Sequence, residues 1–273
     1  MTTSSAPVAP VDHTAALVAQ SALLAAALDG GDLAAPVAGC PGWDVGRLVR
    51  HVGGAHRWTE EIVRTRATGP VPEDINDPDA YAAVPDAALA GWFTEGAGAL
   101  AAALRDAGPD APLWTVAPGG TARFWARRMT YETAVHRYDV ATALGVPYEL
   151  DAAVARSGLD EWTEFSVLPQ VFESPRALAD LLRPGRTLWL RTTADSGAGE
   201  GAGWVLDLGG REPVRRPAAP GERATVTVTG TPADLLLLMY GRLTPGSAGI
   251  EVTGDVAAFN SWLYEVSSWL RIE

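Results

Sequence analysis

The residue pair best placed to do chemistry is Glu132 and His136, which lie four positions apart. At 3.6 residues per turn, side chains with this spacing emerge on one face of a helix. A third candidate, His51, lies midway along an earlier helical pattern, and ligands from two helices of a bundle can meet around one ion. Two imidazoles and a carboxylate suit Zn²⁺, with Fe²⁺, Ni²⁺ or Mn²⁺ as alternatives. Three protein ligands leave coordination positions open, which is typical of a catalytic metal site.

Each of these residues also has a plainer interpretation. Glu132 and His136 are equally compatible with an ion pair on a solvated helix face, and His51 alone with a hydrogen-bonded histidine of the core. His13 and His56 are predicted to be exposed, since His56 follows His51 by five residues and points well away from it around the helix.

The single cysteine, Cys40, excludes an internal disulfide and a cysteine-cluster zinc site. It precedes a Pro-Gly turn and is predicted to be packed rather than nucleophilic. Asp139, three residues past His136, could orient a metal ligand or form a surface ion pair with a neighbouring arginine. Arg50 and Arg137 adjoin the candidate ligands but point about 100° away from them, so both are expected to be solvated.

The charge and composition narrow the range of partners. The formal net charge is -12, which argues against binding to nucleic acid or to anionic membranes. All 21 basic residues are arginines, so the chain has no lysine for a Schiff base or a phosphate-binding loop. The preference for arginine, alanine and glycine points to a GC-rich genome, such as that of an actinobacterium.

The sequence also bears on the cellular location of the protein. The longest apolar runs, such as residues 235–240, are too short to cross a bilayer. Residues 1–10 contain no basic residue and do not resemble a secretory signal. A cytoplasmic location is therefore expected.

The first half of the chain must supply the scaffold for the candidate ligands. Pro/Gly loops separate four helical patterns, and the Asp12 and Asp44 side chains are placed to cap the first two. The predicted helices cover about residues 12–28, 44–66, 85–107 and 122–144, followed by a fifth at about 151–168. Four long helices with modest connections predict an up-and-down four-helix bundle.

The residue pattern changes from helical to strand-like after Pro184-Gly185, where β-branched residues begin to alternate with others. Strands are predicted at 187–192, 203–208, 224–229 and 250–252, with helices at 232–240 and 255–270. The fold class predicted is therefore α+β in two domains, a helical bundle over residues 10–182 and a small sheet-and-helix domain over residues 183–273.

Two motifs resemble a known family. Cys40-Pro41-Gly42-Trp43-Asp44 followed by Leu48-Val49-Arg50-His51 is similar to the entry to the metal-binding helix of the mycothiol-dependent maleylpyruvate isomerase family, and Glu132–Asp139 resembles its second metal motif. That family belongs to the DinB-like four-helix bundles and carries a C-terminal domain similar to sterol-carrier folds. The stretches 226–240 and 250–270 look like the end of that domain.

The resemblance implies a zinc site at His51, Glu132 and His136, and mycothiol as the thiol cosubstrate. It also implies a cleft-facing arginine that would bind an anionic substrate, carried here by Arg242, because a guanidinium matches carboxylate geometry. Arg242 could equally be a cation at a helix C-terminus. The cleft would lie between the two domains.

Three functions stay open on the sequence. The first is a metal- and thiol-dependent enzyme that adds a thiolate to a small electrophile, as an S-transferase or a cis–trans isomerase. The second is a hydrolase that uses metal-bound water, for which no general base can be assigned. The third is a binding protein without turnover. The substrate, the metal used in the cell and the oligomeric state are not indicated.

Overall fold

The computed structural model describes residues 10–72, 77–117, 119–172, 175–193 and 202–268. It divides into two compact units, one spanning Asp12–Glu149 and one beginning at Leu150. The division lies well before the boundary near residue 183 expected from the sequence. The reason is that the helix following the bundle packs with the helix Pro232–Met239 and the sheet of the C-terminal part.

Four long helices build the first unit, and their bounds agree closely with the sequence pattern: α1 (His13–Ala27), α2 (Val45–Arg64), α3 (Asp86–Ala107) and α4 (Ala122–Leu144). Asp12 accepts a hydrogen bond from the amide of Ala15, and Asp44 accepts one from the amide of Arg47, so both predicted caps are confirmed. Helix α4 ends at Gly145, which adopts a left-handed conformation with φ of 67°.

The helix directions differ from the simple alternation expected. Along α1 and α4, His13 meets Tyr131 and Gln20 meets Arg137, so these two helices run parallel. Helices α2 and α3 also run parallel, since Arg50 contacts Asp86 while Arg57, further along α2, contacts Trp92.

Helix α2 is antiparallel to α4, because His51 lies against His136 and Trp58 against Trp125. The bundle is therefore up-down-down-up. The long connection between α2 and α3, residues 65–85, lets the chain return to the end from which α2 began.

Helix α2 is buried over most of its length because it packs against both α3 and α4. Its apolar residues join α1, α3 and the loop before α2 in one cluster, whose fully buried members are Leu24, Val45, Leu48, Val49, Val52, Leu89, Phe93 and Val140. This packing fixes the helix that carries His51 against the helix that carries Glu132 and His136.

The second unit combines helices with one mixed sheet. Its described elements are α5 (Ala152–Phe165), α6 (Pro175–Leu181), β1 (Thr187–Thr192), β2 (Gly203–Asp207), β3 (Val214–Pro217), β4 (Val226–Gly230), α7 (Pro232–Met239), β5 (Glu251–Gly254) and α8 (Val256–Ser268). The strand order is β3-β2-β1-β4-β5, with β1 and β4 parallel and the other neighbours antiparallel. Strand β3 and helix α6 were not predicted, and the end expected for the last helix, residue 270, lies outside the described residues.

The core of this unit is rich in tryptophan and leucine. Trp162 of α5 packs edge-on against Trp262 of α8, with ring centroids 5.3 Å apart. Both rings are almost completely buried among side chains of β1, β2, β4 and α7. Helix α5 therefore belongs to the sheet unit.

Helix α3 is the one described helix that is long and apolar enough, by length and composition, to cross a membrane, with a mean hydropathy of 1.2 in its most apolar window. Its apolar residues are interrupted by polar ones, so the search for uninterrupted apolar runs does not identify it. One such helix is weak evidence for a membrane span, because the mostly buried core helix of a bundle passes the same test; here 39% of the window is buried. Leu89, Phe93 and Leu100 are among the residues of α3 that face the bundle interior.

Candidate metal centre

Three predicted ligands come together between α2 and α4. The Nε2 atom of His136 lies 3.1 Å from Oε1 of Glu132, and Nε2 of His51 lies 4.0 Å from the same oxygen. The two imidazole rings meet edge-on, with centroids 5.6 Å apart. One ligand atom from each residue lies within 4.8 Å of the other two, so the cluster could hold a metal ion.

The cluster is partly exposed to solvent on the side of His51 and Glu132. The His136 side chain is 4% exposed, whereas those of His51 and Glu132 are 13% and 23% exposed. A small ligand can therefore approach the cluster on the side of His51 and Glu132 while His136 is held in the protein interior.

The atoms of the ligands that face away from the cluster are engaged by neighbours. Asp139 Oδ2 lies 2.9 Å from Nδ1 of His136, and Arg128 Nη2 donates to Oε2 of Glu132 at 2.5 Å. The ring of Trp43 packs edge-on against His51, with centroids 5.1 Å apart. These contacts leave Nε2 of His136 and Oε1 of Glu132 directed at the shared position, as in carboxylate–histidine–metal arrangements.

Burial disfavours the charged forms of Glu132 and His136, but their hydrogen-bonding and charged partners outweigh it. Burial acts against the charged form of Glu132, but Arg128 and the two histidines hold the pKa of its carboxyl well below the usual range. Burial likewise disfavours charged His136, yet its bonds to Asp139, Cys40 and Glu132 raise its pKa well above the usual value. Without an ion, the cluster therefore pairs a carboxylate with an imidazolium, and a divalent cation can take the place of the proton on Nε2.

Two neighbours of the cluster, Cys40 and Arg128, have no metal-related role in the sequence-based prediction. Cys40 is 4% exposed, as its packed interpretation predicted, and its Sγ lies 4.0 Å from Oδ2 of Asp139. Arg128 was overlooked, although its position four residues before Glu132 is the spacing of an intrahelical ion pair.

Two histidines are not exposed as expected. His56 is completely buried, with Nε2 2.8 Å from the hydroxyl of Thr133 and its ring against Phe93. It lies on another face of α2 than His51, but that face is covered too because α2 packs on two helices. Burial lowers the pKa of His56 to about 3.

His13 is half-buried, and its Nε2 lies 2.7 Å from the Tyr131 hydroxyl. Burial, followed by nearby Arg127, lowers the pKa of His13 to about 4. Both histidines are therefore neutral side chains that lie between packed helices, His56 between α2 and α4 and His13 between α1 and α4.

The two arginines beside the ligands are structural rather than solvated. Arg137 is buried and donates to the side chain of Gln20 and the carbonyl of Glu149. Arg50 is half-buried and donates to the carbonyl of Val84. Both anchor α2 or α4 to neighbouring segments of the bundle.

Arg242 belongs to the second unit and lies three residues beyond the end of α7. It is half-buried, and its Nη1 donates to the carbonyl of Tyr240 at 2.9 Å. This contact fits a cation at a helix C-terminus. Its role toward an anionic substrate stays a prediction.

The fold and cluster together define a two-unit protein whose helical bundle carries a His–Glu–His set of the type that binds divalent metals. Residues 14–141 match the mycothiol maleylpyruvate isomerase N-terminal domain, and residues 153–261 match the C-terminal domain of the same family. The chain therefore belongs to the mycothiol-dependent maleylpyruvate isomerase family, and this membership indicates an enzyme of the isomerase or thiol-transferase type.

Solved structures agree with this assignment at the level of the fold. A crystal structure of mycothiol-dependent maleylpyruvate isomerase shares 20% sequence identity with a TM-score of 0.57, covering 89% of this chain and 92% of the other. A histidine-to-alanine mutant of that enzyme shares 19% identity with a TM-score of 0.58 over the same shares of the two chains. A comparison with curated proteins found no match.

Proposed function

We propose that this chain is a metal- and thiol-dependent enzyme that adds a thiolate to a small electrophilic substrate, with mycothiol as the thiol. The observation that carries the proposal is the convergence of His51 Nε2, Glu132 Oε1 and His136 Nε2 on one position. The family assignment supports the thiol and the isomerase or transferase class.

The donor atoms fit a divalent ion of borderline softness, and Zn²⁺ suits two imidazoles and one carboxylate best. An ion held there would act as a Lewis acid that lowers the pKa of a coordinated thiol, so that thiolate is available at neutral pH. The three residues leave coordination positions open for this cosubstrate.

The protein's own side chains have distinct parts in this scheme. Asp139 Oδ2 accepts a hydrogen bond from Nδ1–H of His136 and so presents Nε2 as the ligand atom. Arg128 occupies Oε2 of Glu132, which leaves Oε1 to bind the ion. Arg242 is proposed to bind an anionic group of the substrate through its guanidinium.

The reaction would be one of two outcomes of the same addition. When the thiolate adds to an unsaturated carbon, a double bond becomes a single bond that can rotate. Loss of the thiolate then restores the double bond, and the net change is cis–trans isomerisation. When the thiolate stays attached and a proton is taken up, the product is an S-conjugate.

The first experiment is elemental analysis of the purified protein beside His51→Ala and His136→Ala, with His13→Ala as a control outside the cluster. About one equivalent of zinc, lost in the two cluster variants and kept in the control, is the expected result. Stoichiometric metal in His136→Ala would overturn the site.

The thiol requirement is tested next with the metal-loaded protein and a panel of activated alkenes. Turnover is expected only when mycothiol or another small thiol is added. Turnover of an ester or amide without thiol would instead indicate a hydrolase that uses metal-bound water. The cytoplasmic location and the absence of nucleic-acid or membrane partners stay predictions from the sequence.

A further inference from the structure

A second group of ligand atoms lies behind His136, on the side opposite Glu132. Cys40 Sγ is 4.0 Å from Asp139 Oδ2, which is 2.9 Å from Nδ1 of His136. One ligand atom from each of the three residues lies within 4.8 Å of the others. All three residues are buried: Cys40 is 4% exposed, and His136 and Asp139 are each 3% exposed.

We propose that Cys40, His136 and Asp139 form an inner site for a soft, thiophilic metal ion such as Cd²⁺ or Cu⁺. Thiolate is the protein ligand that selects such ions, and imidazole and carboxylate complete a mixed S, N, O set. Ligand atoms around a tetrahedral ion are about 3.3–3.8 Å apart, given metal–ligand bonds of about 2.0–2.3 Å. The present spacing needs only small side-chain shifts to reach this geometry.

The inner site is chemically different from the His51–Glu132–His136 cluster. The outer cluster uses Nε2 of His136 and has no sulfur, whereas the inner site uses Nδ1 and a thiolate. An ion at the inner site would be held by the Cys40 sulfur, Nδ1 of His136 and a carboxylate oxygen of Asp139. Nε2 of His136 would keep its present contact with Oε1 of Glu132, which lies 3.1 Å away.

The two sites therefore compete for one imidazole. An ion at the inner site leaves Nε2 protonated, and a protonated nitrogen has no lone pair for the outer ion. A soft ion would thus displace the outer metal without touching His51. The inference goes beyond the proposed reaction and holds whether the substrate is isomerised or conjugated.

The inner site lies just beneath the protein surface at the turn before α2. Cys40 sits in the turn before α2, and its neighbours Gly39, Pro41 and Gly42 are exposed while the thiol side chain points inward. Gly42 adopts a φ of 83°, in the left-handed region that glycine tolerates.

The test is Cd²⁺ titration of the metal-free full-length protein, followed by the ultraviolet sulfur-to-cadmium charge-transfer band. Because the chain contains a single cysteine, the band reports on Cys40 alone. The variants are His51→Ala, which disables the outer cluster, Cys40→Ser, which disables the inner site, and the double variant.

We expect His51→Ala to bind one Cd²⁺ with the band, and the double variant to lose both the band and tight binding. Cys40→Ser should bind one Cd²⁺ without the band, through the outer cluster. Absence of the band in His51→Ala, with its helical circular dichroism intact, would overturn the inner site. Failure of Cys40→Ser to bind any Cd²⁺ would instead overturn the outer metal site, so the two failures are distinguishable.

Discussion

Arg128 donates a 2.5 Å hydrogen bond to Glu132 from one turn earlier on α4, and both belong to the wall of the candidate metal centre. The arginine side chain is 7% exposed, so the pair is shielded from solvent on the arginine side. Arg128 is the favourable partner that contributes most to keeping the Glu132 pKa low against the cost of burial. It therefore keeps the carboxylate ionised, and it occupies Oε2, the oxygen that the proposed ion would not use.

Replacement of Arg128 by methionine is expected to weaken zinc binding by about tenfold or more, the range measured when partners of metal ligands are removed. The Glu132 carboxylate would lose its orientation, and protonation would compete with the ion. The loss of a nearby positive charge acts in the opposite direction but does not restore geometry. Zinc affinity measured by competition with a chromophoric chelator checks this.

Arg123→Met is the matched control, because Arg123 lies on the same helix, is exposed and pairs with Asp110 at the surface. It should leave zinc affinity unchanged. Equal affinities for Arg128→Met and the wild type would show that the Arg128–Glu132 bond has no part in metal binding.

The close approach of α2 and α3 depends on Gly53. A Cβ added at this position would lie 2.3 Å from Cζ3 of Trp92. The indole cannot easily move away, because Arg57 stacks on it at 3.9 Å and also donates to the Trp92 carbonyl. Gly53→Ala is expected to destabilise the protein by about 1–3 kcal/mol through overpacking, despite a gain of about 1 kcal/mol in helix propensity.

Gly98 of α3 provides the opposite case. It is exposed, and an added Cβ would meet nothing within 4 Å. Gly98→Ala should therefore stabilise the protein by about 0.5–1 kcal/mol. Denaturant unfolding of both variants followed by circular dichroism decides the matter, and a lowered midpoint for Gly98→Ala or a raised one for Gly53→Ala would contradict the packing argument.

The buried histidine His56 predicts acid sensitivity. Its pKa is about 3 in the folded protein and near 6.5 when unfolded. Between these values the unfolded chain binds a proton that the folded chain does not, so stability is complete above pH 6.5 and falls as the pH decreases toward 3. From pH 7.5 to pH 5, this group alone should cost about 2 kcal/mol.

His56→Gln should lower stability at pH 7.5, since the ring packs on Phe93, but its stability should depend less on pH by about 2 kcal/mol over the same interval. Unfolding measured in chelator at the two pH values makes the comparison, because the metal-free cluster titrates alike in both proteins. The double variant with His13→Gln should flatten the dependence further, since the pKa of His13 is also lowered, to about 4. An identical pH dependence for wild type and His56→Gln would refute the assignment.

The sequence indicated the ligand helices well because their signals are local. Gly145 ends α4 at the predicted residue since a left-handed φ is needed there, and the spacing of Glu132 and His136 places them on one face. That His51 meets them is a long-range fact, and here the resemblance to a family supplied what periodicity alone left open.

The features that were missed are those set by tertiary packing. The parallel course of α2 and α3 depends on where a long connection leads, which no local pattern specifies. His56 is buried because α2 has neighbours on two sides. Strand β3 pairs through its backbone with β2 although its side chains, in Val214-Arg215-Arg216-Pro217, do not alternate in the way that identifies a strand.

A substitution of Arg242 tests whether this residue binds an anionic group of the substrate. If its guanidinium binds an anionic group of the substrate, Arg242→Ala should lower kcat/KM by about tenfold or more, corresponding to a lost charged hydrogen bond of about 1.5–3 kcal/mol. Zinc content and thiol affinity should stay unchanged. Steady-state kinetics with an anionic activated alkene and with its uncharged ester separate the roles, since only the anion should suffer.

The alternative for Arg242 is that it only stabilises the end of α7 through the Tyr240 carbonyl. Arg183 is the matched control, because it makes the same kind of contact with the carbonyls of Ala179 and Leu182 at the end of α6. Arg183→Ala should therefore reproduce any loss of stability without the loss of kcat/KM. If the two alanine variants behave alike in both stability and kinetics, Arg242 is a helix-capping residue, and the anion-binding group of the enzyme must be sought elsewhere.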